Sequence, residues 1–160
     1  MTQAFLRSTN TVKAIALAGL CAGTLDIADA IIFYGVRGVP AMRILQGIAY
    51  GLIGRPAYVQ GIRSALLGLL LHFVIATSFA TIYILASRRL RLSRHPLLYG
   101  MMYGVAIYAV MNYIVLPLSH IGLRPLPPPA ALVNGVLALI VCVGIPIAFI
   151  ARHFDKAAED

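Results

Sequence analysis

Four long apolar runs divide the chain. They cover residues 12–34, 62–86, 97–118 and 130–151. A helix rises about 1.5 Å per residue, so roughly 20 apolar residues cross a hydrocarbon core about 30 Å thick. Each run is therefore long enough for one membrane-spanning helix. Between the first two runs, Gly38-Val39-Pro40 interrupts the pattern. A shorter apolar stretch follows at residues 41–53. Its Arg43, Gln46, Gly47 and Tyr50 share one side of a helix, and Ile44, Leu45, Ile48 and Leu52 share the other. That stretch is too short to cross, so it is expected to be an interfacial or re-entrant helix. Gly51, Gly54 and Pro56 end it. The fold class expected is all-α: a four-helix transmembrane bundle in one domain, with a short amphipathic helix between the first two spans.

The first run has a competing reading as a cleaved signal peptide. Arg7 and Lys13 would form its basic region, residues 14–23 its apolar region, and Ala28-Asp29-Ala30 its cleavage site. Yet the run continues through Ile31-Ile32-Phe33-Tyr34, which such a signal does not need. A spanning helix is the expectation.

Helical periodicity sorts this first run into two faces. Ala16, Ala18, Gly19, Ala22, Gly23, Asp26, Asp29 and Ala30 fall on one side, and Leu17, Leu20, Leu25, Ile27, Ile31 and Ile32 on the other. The small and acidic face is expected to meet protein. Gly19-x-x-x-Gly23 is a close-approach motif for another helix, within the chain or in a second copy. In the second run, Ala65, Gly68, His72, Ala76, Phe79 and Tyr83 share a face, with Arg63 opposite. In the third, Gly100, Gly104, Tyr108 and Asn112 recur every four residues; the fourth carries Asn134 early and Gly144-Ile145-Pro146, which predicts a kink.

Polar residues inside membrane helices are costly and are functional candidates by default. Counted along their helices, Asp26, Asp29, His72, Asn112 and Asn134 all fall in one half of the membrane, roughly 6–15 Å from its surface. His72 matches Asp26 in depth, and Arg43 is expected to reach Asp29. A carboxylate beside an imidazole exchanges protons near neutral pH. The alternative is interhelical glue, which needs no chemistry. Tyr99, Tyr103, Tyr108 and Tyr113 are candidates to line a cavity, with interfacial or core placement as the default.

Composition agrees with a bilayer protein: 61% of residues are hydrophobic and 11% charged, against about a quarter charged in soluble domains. The net charge of +8 carries no zinc-finger or RNA-binding motif with it, so no nucleic-acid partner is expected. The charge reads as a topology signal and as attraction to anionic lipid headgroups. Arg88, Arg89, Arg91 and Arg94 form the densest basic loop. Placing it in the cytoplasm puts both termini there and the residue 41–53 helix outside. The basic first outer loop sits awkwardly with that orientation. Pro125, Pro127, Pro128 and Pro129 predict a stiff, extended loop. Cys21 and Cys142 stand alone, without metal-ligand spacing, and read as packing residues. No hydrolase, zinc-protease, phosphate-loop or dinucleotide motif is present, so no cofactor or metal is expected and an enzyme is disfavoured.

Gly19–Thr24, Leu71-His72-Phe73, Tyr103-Gly104, Val115-Leu116-Pro117-Leu118 and Asn134-Gly135 together resemble the YagU-like family of small bacterial inner-membrane proteins. The resemblance implies four spans, a bacterial inner-membrane location, an association with acid resistance, and His72 as a site residue. Family members carry a long outer insertion after the first helix, where this chain has only residues 41–53. They also carry a histidine where this chain has Val136, and first-helix charges of types other than Asp26 and Asp29. Two functional classes follow: a transporter, channel or proton-handling component using the polar group, or an accessory subunit whose polar group only staples the bundle.

Overall fold

The computed structural model describes the backbone of residues 2–156 and the side chains of residues 10–155. Arg7, Lys156, Glu159 and Asp160, which enter the charge tally, lie outside the described side chains. The elements are α1 (Thr2–Gly35), α2 (Ala41–Ile53), α3 (Ile62–Leu90), α4 (Pro96–Leu118) and α5, which runs from Pro129 and ends at Lys156. Four of these helices, all but α2, are long and apolar enough to cross a membrane. The all-α bundle of four long helices and one short one is thus as the apolar pattern predicts.

Three boundaries differ from that pattern. No glycine or proline precedes the first run, and α1 begins at Thr2 instead of residue 12. The third element, α3, continues through Arg88 and Arg89 to Leu90 before Arg91 turns left-handed at φ 52°. Basic side chains at a helix C-terminus are favoured by the helix dipole, so the first arginines of the loop are helical. The last helix takes in Asp155, which the sequence placed in a polar tail.

The α4 and α5 helices each contain a widened π-helical segment, Met111–Val115 and Leu139–Gly144. Proline lacks an N–H and its ring clashes with the carbonyl four residues back. Pro117 and Pro146 stand just beyond these segments. The N–H groups of Leu116 and Ile145 reach back five residues, to Met111 and Ile140. At Gly144-Ile145-Pro146, where the sequence predicts a kink, the helix carries this π turn.

Backbones come into contact where glycines allow it. A Cβ at Gly144 would strike the Gly100 carbonyl, and one at Gly104 would lie 2.5 Å from the Ile140 Cα. On α3, a Cβ at Gly68 would strike the Leu45 carbonyl, which is how α2 lies flat on α3. The Gly19–Gly23 face of α1 is occupied within the chain by Thr77 and Phe73 of α3. A second copy using that face would have to displace α3.

The face expected to meet protein on α1 does so at Ala18, Gly19, Ala22 and Gly23, while Leu17, Leu20, Leu25 and Ile32 are exposed. Ile27 and Ala16 exchange roles: Ile27 is buried and Ala16 is exposed. The α3 face from Ala65 to Tyr83 is buried or half-buried throughout, and Arg63 is exposed.

The two ends of the bundle are built differently. At the end carrying the α3–α4 loop, Ala14, Ala18, Ala22, Ala80, Ile147 and Ala148 are fully buried. Tyr83 and Tyr103 pack there with ring centroids 5.0 Å apart, and the Tyr103 hydroxyl donates to the Phe79 carbonyl at 2.7 Å. Arg88 pairs with Asp155 at 3.9 Å and donates to Thr11, tying α3 to α5 and α1. At the opposite end, where α2 lies, the helices enclose empty space.

Candidate functional site

Two cavities occupy that space. The outer one, of about 600 Å³, lies between α2, α3, α4 and the proline-rich loop. The inner one, of about 260 Å³, is lined by residues from all five helices. Ile44, Ile48, Ile75 and Met111 line both, so the two share a wall.

The inner cavity is apolar except at two side chains, Asp26 of α1 and His72 of α3. Ile27, Ala76, Phe79, Ile107 and Val143 are among its other walls. Helical spacing explains the pairing. Gly23 and Asp26 are one turn apart on α1, so a side chain of α3 that touches one is near the other. His72 Nε2 lies 2.8 Å from the Gly23 carbonyl oxygen. A carbonyl only accepts, so Nε2 carries a hydrogen and donates it. Nδ1 is then the nitrogen left to bind or release a proton. Asp26 lies within electrostatic range of both His72 and Asp29.

Asp29, one turn further along α1, has a different environment. The amide of Asn134 on α5 donates to its Oδ2 at 2.8 Å. This bond joins the first and last helices and occupies an oxygen of the carboxylate. Asp29 and Asn134 are among the five polar residues grouped by depth, and the structure brings them together as it does Asp26 and His72.

Asn112 and Arg43 do not join the group. A step of four residues overshoots one helical turn by about 40°, so three steps carry Asn112 about 120° round α4 from Gly100. Ile107 and Met111 stay within about 20° of that face and line the inner cavity in its place. The Asn112 amide instead donates to the Tyr108 carbonyl of its own helix at 2.9 Å. Arg43 faces the outer cavity with its guanidinium over the Tyr58 ring, 5.1 Å from the centroid, and does not pair with Asp29.

The four tyrosines of α4 take the default placement and not the cavity-lining one. Tyr99, Tyr103, Tyr108 and Tyr113 line neither cavity; Tyr34 and Tyr58 line the outer one. Tyr108 packs over Gly135, and Tyr113 is exposed. Arg124, in the proline-rich loop, also lines the outer cavity and carries no helical periodicity that would have signalled it. The loop is held over that end by the His120 N–H, which donates to the Gly51 carbonyl at 2.9 Å. Two buried polar side chains also belong to this end: Gln46 donates to the Gly61 carbonyl at 3.0 Å, fixing α2 to the start of α3, and the Ser64 hydroxyl donates to the Ala57 carbonyl at 2.6 Å. Cys21 and Cys142 are both free thiols.

Comparison with known proteins adds no relative: no family model, no curated protein and no solved structure matches this chain.

Proposed function

We propose that this chain is a polytopic membrane protein that handles protons, or a protonatable solute, through Asp26 and His72. One observation carries the reading: a carboxylate and an imidazole line a small, otherwise apolar cavity at the centre of the bundle. Such a pair inside a membrane is costly unless it is used, and it can pass a proton between Asp26 and the His72 Nδ1. Asp29 and Asn134 hold α1 against α5 and so fix where Asp26 points. The arginines between α3 and α4 support a cytoplasmic position for that end, with both termini cytoplasmic in a bacterial inner membrane. In that orientation the cavities face outward, and the closed packing below Asp26 is what a transported proton or solute has to cross.

The test is flux into liposomes loaded with a pH-sensitive dye, driven by an imposed pH gradient. Asp26→Asn is expected to abolish the protein-dependent signal, and His72→Gln to reduce it strongly. Asp29→Asn is expected to retain most of it. An Asp26→Asn protein that inserts normally and conducts as wild type does would overturn the proposal.

A second reading, an accessory subunit, is favoured by the two interhelical bonds Asn134–Asp29 and His72–Gly23. It predicts a stoichiometric partner on purification, no flux from the chain alone, and a loss of stability alone in Asp26→Asn.

A further inference from the structure

The outer cavity differs from the inner one in the sign of its charge. Arg43 on α2 and Arg124 in the proline-rich loop both line it, and none of its lining residues is acidic. Among the described residues, no carboxylate pairs with either guanidinium. Of the acidic side chains the structure describes, Asp26 and Asp29 lie on α1 and Asp155 at the far end of the bundle. The Tyr58 ring beneath Arg43 orients that guanidinium. Apart from Tyr34, Tyr58 and Ser119 the rest of the wall is apolar, with Ile48, Leu52, Leu71 and Val115 among its residues. Its volume, about 600 Å³, lies within the range of about 300–1,000 Å³ typical of ligand pockets.

From these features we infer that the outer cavity binds an anionic phospholipid of the surrounding membrane. Its phosphate is held by Arg43 and Arg124, and part of an acyl chain lies between α2, α3 and α4. Two guanidiniums converging on one apolar space match a ligand with a negative head and a hydrocarbon body. Arginine is suited to the head because its planar fork donates two hydrogen bonds to one phosphate. Gly47 adds no side chain on the α2 side of the space. The nearest atom to a Cβ at Gly47 would be the Tyr58 hydroxyl, 3.9 Å away. This inference does not rest on the proton-handling reading, because Asp26 and His72 do not line the outer cavity.

Native mass spectrometry of the full chain, released from mixed micelles of equal phosphatidylglycerol and phosphatidylcholine with matched acyl chains, tests it. Wild type is expected to retain phosphatidylglycerol in preference to phosphatidylcholine. The double variant Arg43→Gln/Arg124→Gln is expected to lose about tenfold of that preference, as for one or two charge-assisted contacts. Arg63→Gln, which removes an exposed charge at the same end but outside the cavity, is expected to keep it. Gly47→Phe, which fills the space without changing charge, is expected to lower retention of the lipid. Asp26→Asn is expected to leave retention unchanged even where it abolishes flux, so the two proposals fail separately. Circular dichroism and gel filtration establish that each variant is folded. Equal retention of both lipids by wild type, or an unchanged preference in the folded double variant, would overturn the inference. Competition by millimolar inorganic phosphate would also overturn it, since it would mark a site for a free anion and not for a lipid.

Discussion

The two ends of this bundle differ in the side chains that face its interior and in how much space they leave. At the α3–α4 loop end, alanines and glycines let helices approach until backbone meets backbone, as at Gly104 and Gly144. At the α2 end, branched side chains such as Ile44, Ile48 and Ile75 stand around open space. Asp26 and His72 sit where the hollow end meets the closed one. Small residues remove the lateral bulk that keeps helices apart. A short helix such as α2 cannot fill the room that a fifth full span would fill. Both cavities therefore lie beside α2, and the ionisable pair stands on the wall of the inner one.

The difference between the ends can be broken most severely at the closed one. Gly144→Leu places a side chain against the Gly100 carbonyl, so α4 and α5 must separate. A loss upward of about 3 kcal/mol is expected, beyond the usual range for overpacking, because the obstacle is backbone. Loss of folded protein in a detergent thermal-stability assay reads it; wild-type stability would show that the seam can open at little cost.

A matched pair of enlargements compares the two ends directly. Ala148→Leu, in the fully buried layer, is expected to cost about 1–3 kcal/mol. Ala30→Leu, on the wall of the inner cavity, is expected to cost less than about 1 kcal/mol because the added atoms enter space already empty. Equal losses in denaturant titration would mean that the hollow end is as tightly packed as the other.

Smaller effects sharpen the contrast. Asn134→Ala removes the bond to Asp29 and is expected to cost about 1 kcal/mol, the typical worth of an interhelical polar contact in a membrane. A cost several times larger would make that pair more than a staple. At the closed end, Arg88→Ala breaks a partly exposed ion pair 3.9 Å long, worth no more than about 1 kcal/mol. A high-salt titration of wild type and variant checks it, since the difference should shrink as salt rises.

What was legible in the sequence was whatever depends on a run of neighbours. The spans, the short helix at residues 41–53 and the protein-facing side of α1 follow from apolar length and a 3.6-residue period. So do the buried Ala65, Gly68 and Ala76 of α3, which lie on one stripe of one helix, whereas the buried Ala80 was not read as part of that stripe. That Asp26 and His72 come to one cavity was also within reach, since equal depth on two protein-facing stripes brings side chains near each other.

Only the tertiary structure decided how the polar residues were distributed. Asn112 follows a four-residue repeat that winds away from the bundle, and Ile107 and Met111 take the inward positions. Arg43 turns to Tyr58 and the outer cavity, where Arg124 joins it from a loop with no period to reveal it. Asp155, read as part of a tail, closes the other end against Arg88. The Gly19–Gly23 face, open in sequence to a second copy, is filled by Thr77 and Phe73 of the same chain. A sequence fixes which way a side chain leaves its own helix, because that depends on local backbone geometry. What it meets there depends on the rotation, tilt and spacing of helices distant in sequence, and those are set by the packing of the whole bundle.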